Sequence, residues 1–198
     1  MTVKTSISSP LRIDSVRPGQ STGRIGMTLC PGKTDHSAMT ASWERDLDID
    51  LQEAVRWGAS VIVSLIEDRE LQELQVPTLG AAVLRHGMKW IHIPIPDQQS
   101  PDVDFETEWR CRSGREIKRF LDAGADIVLH CRGGLGRTGT VAAKLLVEYG
   151  HHPETAINLV RKVRRDPHAR KYTIENKVQE EYVRSLPWTT SDFIGDKS

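Results

Sequence analysis

Three runs of apolar, β-branched residues stand out in the middle of the chain. Ser60 to Ile66, Trp90 to Ile95 and Asp126 to His130 have the pattern of parallel strands buried on both faces. Helical periodicity lies between them. "RDLDIDLQEAVRWG" places Leu47, Leu51, Ala54 and Val55 on one face and stops at Gly58. "VPTLGAAVLRHG" has Pro77 near a helix start and ends at Gly87. "DVDFETEWRCRSGREIKRFLDAG" carries Phe105, Trp109, Ile117, Phe120 and Leu121 at spacings of three and four or their multiples before Gly124. After Gly136 the pattern stays helical, over about 138–149, 153–165 and 175–185. Strands alternating with helices predict an α/β fold, a central and mainly parallel sheet flanked by helices. "LRIDSV" and "GRIGMTL" are expected to add edge strands. One domain is expected over 11–186, with flexible polar ends at 1–10 and 187–198.

Composition narrows the class. A chain of 198 residues suits one domain, and 38% apolar with 27% charged residues allows a globular core. Lysine plus arginine equals aspartate plus glutamate at 27 each, which argues against a dedicated nucleic-acid binder. Three cysteines are too few and too scattered for a disulfide framework. "MTVKTSISSPLR" lacks the apolar core of a secretory signal, and "ASVIVSLI" is too short to span a bilayer. A reducing, cytoplasmic setting and no membrane span are therefore expected.

The chemistry concentrates in "HCRGGLGRTG", His130 to Gly139. Its "GLGRTG" part matches the G-x-G-x-x-G dinucleotide fingerprint and lies between a strand and a helix. That motif requires a second parallel strand and an acidic ribose ligand about 20 residues on. Here one helix leads to another, "PETAINLVRKV", and the fingerprint fails. "CPGKTD" ends like a Walker loop, but Met27 stands where its first glycine must be. The remaining pattern is a thiol and a guanidinium flanking a glycine loop. The strand delivers Cys131 to its C-terminal end, where α/β folds place ligands. Gly133, Gly134 and Gly136 allow backbone N–H groups to turn inward, and the following helix adds its positive end. Arg132 and Leu135 complete the phosphate loop, and Arg137 closes it with a two-pronged grip on phosphate oxygens. Helix N-termini and cationic neighbours favour a nucleophilic thiolate. A cysteine at the base of a phosphate nest points to phosphoryl transfer onto sulfur. A leaving oxygen needs a general acid. "IPIPDQQSPD" offers Asp97, Asp102 and Asp104, with Asp97 directly after the strand end; turn and helix-capping chemistry also explains Asp102 and Asp104.

"HCRGGLGRTG" resembles the signature of the cysteine-dependent protein tyrosine phosphatases, in particular the dual-specificity type. "GASVIVSLIEDRELQELQVPTL", "WIHIPIPDQQSPD" and "YTIENKVQEEYV" flank it as in the cyclin-dependent kinase-associated phosphatase branch, over about residues 22–184. "TVAAKLLVEYG" lacks the Ala-Tyr-Leu-Met run of the mitogen-activated kinase phosphatases. The resemblance implies a tyrosine phosphatase-like fold and hydrolysis of phosphotyrosine and/or phosphoserine and phosphothreonine through a phosphocysteine. It implies Asp97 as the acid, with Asp102 second, and His130 as a residue orienting the thiolate. Gln179 would position groups near the site, or equally sit solvated on its helix. Thr138 can donate its hydroxyl to the sulfur or simply cap the helix. No cofactor or metal is implied. The substrate would be a phosphorylated protein or peptide, with a kinase as an allowed partner and a monomer as the expected state.

Other features carry less. "RKVRRDPHARK" has six basic residues against one acid and reads as a solvated helix end, with an acidic protein or inositol phosphate as the alternative. His151 and His152 are adjacent, a poor geometry for one metal. Cys30 and Cys111 could pair with Cys131 under oxidation, but spacing does not place them near it. Three competing functions remain open. A phosphoinositide phosphatase is disfavoured by a loop without lysine. A phospho-residue binding module is disfavoured by the presence of thiol, arginine and acid. A rhodanese-type or arsenate-reductase-type thiol enzyme does not share the loop arrangement.

Overall fold

A computed structural model describes residues 3–36, 42–164 and 173–188. In chain order its elements are β1 (Val3–Lys4), β2 (Asp14–Val16), β3 (Ile25–Leu29), β4 (Thr34–Asp35), β5 (Ser42–Glu44), α1 (Leu47–Trp57), β6 (Ala59–Ser64), α2 (Asp68–Glu73), α3 (Leu79–Arg85), β7 (Lys89–His92), α4 (Val103–Glu108), a π-helical turn (Trp109–Ser113), α5 (Gly114–Asp122), β8 (Asp126–Cys131), α6 (Gly136–Glu148), α7 (Pro153–Val163) and α8 (Lys177–Ser185). Five strands form the main sheet in the order β2-β3-β8-β6-β7. β3, β8, β6 and β7 are parallel, and β2 is antiparallel to β3.

The three predicted core strands are β6, β7 and β8. Val61, Ile62 and Val63 of β6 and Ile127, Val128 and Leu129 of β8 are fully buried, so both faces of the sheet centre are covered. "LRIDSV" supplies the edge strand β2 as expected. "GRIGMTL" does not form an edge: β3 lies between β2 and β8. Gly26 disguises it, because the space a side chain would take is filled by Ile13, Trp57 and Val128.

Capping chemistry sets several helix starts. Asp46 accepts from the Ile49 amide at 2.9 Å to open α1, and Pro153 opens α7. α1 packs on α3 and β6, and α3 packs on β7. α6 lies over β8 and β3 and carries α7 and α8. The single helical pattern read over 103–124 is divided: α4 passes into the π-helical turn before α5 begins.

A second, small sheet of order β1-β5-β4 has no counterpart in the sequence pattern. It corrects the expectation of a loose N-terminus for the described residues 3–10. Ser6 Oγ bonds the backbone of Asp46 at 2.9 and 3.2 Å, and Arg45 donates to the Ser9 carbonyl at 2.9 Å. Lys4, Lys33 and Arg45 surround the Trp43 ring with cations 5.1–5.5 Å from its centroid. The rest of the C-terminal tail, 189–198, and residues 165–171 of the basic run lie outside the described residues. Arg161 and Arg164 of that run are engaged, with Glu180 and Asp14 respectively. Among the described residues no helix is long and apolar enough to cross a membrane.

Candidate active site

β8 ends on Cys131, whose register partner is Leu29 of β3, while His130 is opposite both Thr28 of β3 and Ser64 of β6. The thiol therefore stands at the C-terminal edge of the parallel strands, where this architecture leaves a crevice. The chain then turns sharply into α6. Gly134 makes the turn with φ +74°, and a Cβ there would sit 2.3 Å from the Thr28 carbonyl oxygen. Its amide points inward and donates to Cys131 Sγ at 3.2 Å. From outside, Arg164 Nε donates to the Gly134 carbonyl at 3.1 Å and the Ile174 amide to the Leu135 carbonyl at 3.3 Å. Gly133, Gly134, Leu135 and Gly136 thus form a braced loop over the thiol.

Arg137 lies in the first turn of α6 with 2% of its side chain exposed. Nη1 and Nη2 grip both oxygens of Glu70, at 2.5 and 2.8 Å. Nη1 also donates to the Ile95 carbonyl at 3.1 Å, and Nη2 to Asp97 Oδ1 at 2.8 Å. Among the described residues four of five guanidinium donors are engaged, and Nε–H is left over. Burial works to raise the Glu70 carboxyl, but hydrogen bonds and charge from Arg137 outweigh it and hold the carboxyl below its ordinary value. Asp97 has 47% of its side chain exposed, on the loop directly after Pro96. The sequence reading missed Glu70. A buried arginine implies a carboxylate, but nothing in "EDRELQE" distinguishes this glutamate from its neighbours.

His130 is fully buried, with Nε2 2.6 Å from Ser64 Oγ. Trp90 Nε1 donates to the same oxygen at 2.8 Å. Tryptophan can only donate, so the serine proton is available to Nε2. Burial pushes the His130 pKa down to about 3. The imidazole is neutral near neutrality, and its Nε2 faces Ser64. A stability effect follows. Between pH 6.5 and about 3 the unfolded histidine binds a proton that the folded one refuses, so folding stability falls as pH drops through that window. His130→Gln is expected to flatten the wild-type loss by up to about 1.4 kcal/mol per pH unit in urea titrations across the window.

The remaining candidates divide. Among the described residues the buried Thr138 hydroxyl has no hydrogen-bond partner, and no bond to the sulfur forms. Its position one residue into α6 past Arg137 leaves Gly134, not Thr138, as the donor to the thiol. Arg132 turns its guanidinium away from the nest, to Asp35 at 3.0 and 3.1 Å and Glu73 at 3.2 Å. Asp102 caps α4 by accepting from the Phe105 amide at 2.9 Å. Asp102 and Asp104 line a neighbouring cleft of about 450 Å³ with His92, Pro96 and Phe105. Gln179 is buried, packs against Gly136 and donates to the Gln99 carbonyl at 3.2 Å. Asn176, not anticipated, caps α8 and donates to the Gln98 carbonyl at 2.8 Å. Cys30 is buried one residue past the partner of Cys131, and Cys111 is exposed on the π-helical turn.

Fold and loop together place the chain among the protein tyrosine phosphatase-like proteins of the cysteine-dependent, dual-specificity type. The chain belongs to the family described as "Polymorphic toxin system, DSP-PTPase phosphatase", whose model matches residues 38–151. "Cyclin-dependent kinase inhibitor 3" of Sus scrofa is 30% identical over 122 residues, 61% of this chain and 56% of that protein. The chain therefore spans a little over half the length of the curated relatives it matches. A crystal structure of the kinase associated phosphatase, with its catalytic-site cysteine substituted by serine, has a TM-score of 0.73 at 26% identity. The match covers 88% of this chain and 93% of that one. The active form of Tk-PTP has a TM-score of 0.59 at 28% identity, covering 83% of this chain and 95% of that one. The resemblance read from the sequence is borne out.

Proposed function

We propose that this chain hydrolyses phosphate monoesters of phosphorylated proteins through a phosphocysteine. The observation that carries the reading is the shared guanidinium: Arg137 holds Asp97 on the donor face that a phosphate needs, beside Cys131. An arriving phosphate takes Nη2 and the spare Nε–H, and Asp97 is released next to the leaving oxygen. The Cys131 thiolate forms a bond to phosphorus as the ester P–O bond breaks, and Asp97 gives its proton to the departing oxygen. Asp97 then takes a proton from water as that water attacks phosphorus. The S–P bond breaks, the thiolate returns and inorganic phosphate leaves. The Gly134 amide and the N-terminus of α6 stabilise the charge on the sulfur and the phosphate oxygens.

Relatives named for cyclin-dependent kinase inhibition and kinase association favour a phosphoprotein substrate, with a kinase as a partner class. The engagement of Arg132 by Asp35 and Glu73 supports this over a phosphoinositide, because it removes a cation from the rim of the nest. Vanadate-sensitive release of phosphate from an aryl phosphate tests the reading; a protein that binds phosphopeptide without any turnover would be a binding module instead. Asp97→Ala is expected to lower kcat by about 10²–10⁴-fold on an alkyl phosphate. Wild-type kcat in that variant would remove Asp97 from the acid role.

A further inference from the structure

We propose that Lys144 is a positioning residue that holds the acid loop in register with the phosphate loop; this rests on the phosphatase reading. Lys144 lies seven residues beyond Arg137 on α6, two turns down the same face. Only 4% of its side chain is exposed. Nζ meets both oxygens of Glu106 on α4, at 3.0 and 3.1 Å, and Glu148 at 3.2 Å. It also sits 5.4 Å from the Trp109 ring and 5.8 Å from the Tyr182 ring on α8. The partners are themselves tied. Trp109 Nε1 donates to Glu148 at 2.8 Å, and the Tyr182 hydroxyl donates to Glu106. Burial, then the bond to Glu106, raises the Tyr182 pKa and keeps that phenol a donor.

The three helices joined at Lys144 are those that carry the site. α6 begins at the phosphate loop with Arg137. α4 begins where the acid loop ends, at the Asp102 cap. α8 begins with Asn176 and Gln179, which hold the carbonyls of Gln98 and Gln99 just past Asp97. Trp109, which lies over the ammonium, is the first residue of the π-helical turn; such turns recur at functional sites. Stability alone does not explain a buried lysine here. Desolvation offsets much of the Coulomb gain of a buried pair, and apolar replacements are often neutral. Register is the property that an apolar side chain cannot supply, since it offers no directional bond to Glu106.

Only steps that need Asp97 should feel a slipped acid loop. The test compares two esters: phenyl phosphate, whose leaving oxygen needs protonation, and dinitrophenyl phosphate, whose leaving oxygen needs little. Because kcat/KM reports only the steps up to phosphocysteine formation, it separates acid help from the later hydrolysis that both esters share. Lys144→Met is expected to lower kcat/KM on phenyl phosphate by about 10-fold or more, as small misplacements do. On dinitrophenyl phosphate the loss in kcat/KM should be several-fold smaller. Lys144→Arg should restore most of the difference. Tyr182→Phe, which removes one bond and keeps the ring, should shift the same ratio in the same direction and reads the inference even if Lys144→Met does not fold. Equal losses in kcat/KM on both esters, or an unchanged ratio in both variants, would overturn the positioning role. A wild-type protein inactive on both esters would overturn the phosphatase reading itself, and the role of Lys144 with it.

Discussion

Cys131→Ser is expected to release no phosphate from aryl phosphates or phosphopeptides while still binding the phosphopeptide. A serine hydroxyl does not ionise near neutrality, and no base stands ready to activate it. His130 is neutral but faces Ser64, and Asp97 accepts a hydrogen bond from Arg137 rather than from the nucleophile. The binding parts are untouched: the Gly134 amide, the start of α6 and the Arg137 grip. Loss of the thiolate also removes a negative charge from beneath a dianion, so affinity should equal or exceed that of the wild type. Phosphate release and titration calorimetry on the same preparation check both halves. Residual turnover near the wild-type rate would remove Cys131 from the nucleophile role.

Glu70→Ala is expected to be the most damaging change to the fold among the site residues. It leaves the Arg137 charge buried without its bidentate partner, in a pair whose side chains are 2% and 4% exposed. Removing one member of such a pair costs about 3–5 kcal/mol. The guanidinium would also lose the two bonds that aim it, so turnover should fall even in the protein that remains folded. Because the folded Glu70 carboxyl is held below its ordinary value, its contribution is present above about pH 4.3 and is lost as pH falls toward the lowered value. The stability gap between wild type and Glu70→Ala, measured by urea unfolding, should therefore be largest near neutrality and shrink in acid. A gap under about 1 kcal/mol at neutral pH would show that the pair contributes no more than an exposed ion pair.

What the sequence disclosed and what it hid divide along a physical line. β8, the loop and α6 are contiguous, and their pattern is local: β-branched strand, glycine turn, apolar helix. Asp97 follows a strand end and is legible for the same reason. Contacts made across long separations leave no such mark. Glu70 meets Arg137 across 67 residues, and Asn176 meets Gln98 across 78. Side-chain direction is likewise invisible in a motif. Arg132 and Thr138 belong to the signature, yet one turns to Asp35 and the other's hydroxyl has no partner among the described residues. The pattern alone sets β3 at an edge because Gly26 interrupts its apolar run, although that glycine is what lets Trp57 pack on the sheet. The π-helical turn falls inside a regular run of helical spacings, and a single inserted residue does not break the pattern enough to be seen.

The central claim is that phosphate passes through a covalent bond to Cys131. Asp97→Ala makes that intermediate visible, because dinitrophenyl phosphate forms it without much acid help while its hydrolysis lacks a base. Acid quench of this variant during turnover, followed by mass spectrometry of the peptide containing Cys131, should show one added phosphoryl group on the cysteine. Free Cys131 throughout turnover, with dinitrophenol released at a steady rate, would mean that water attacks the phosphate directly and that the thiol is not the nucleophile.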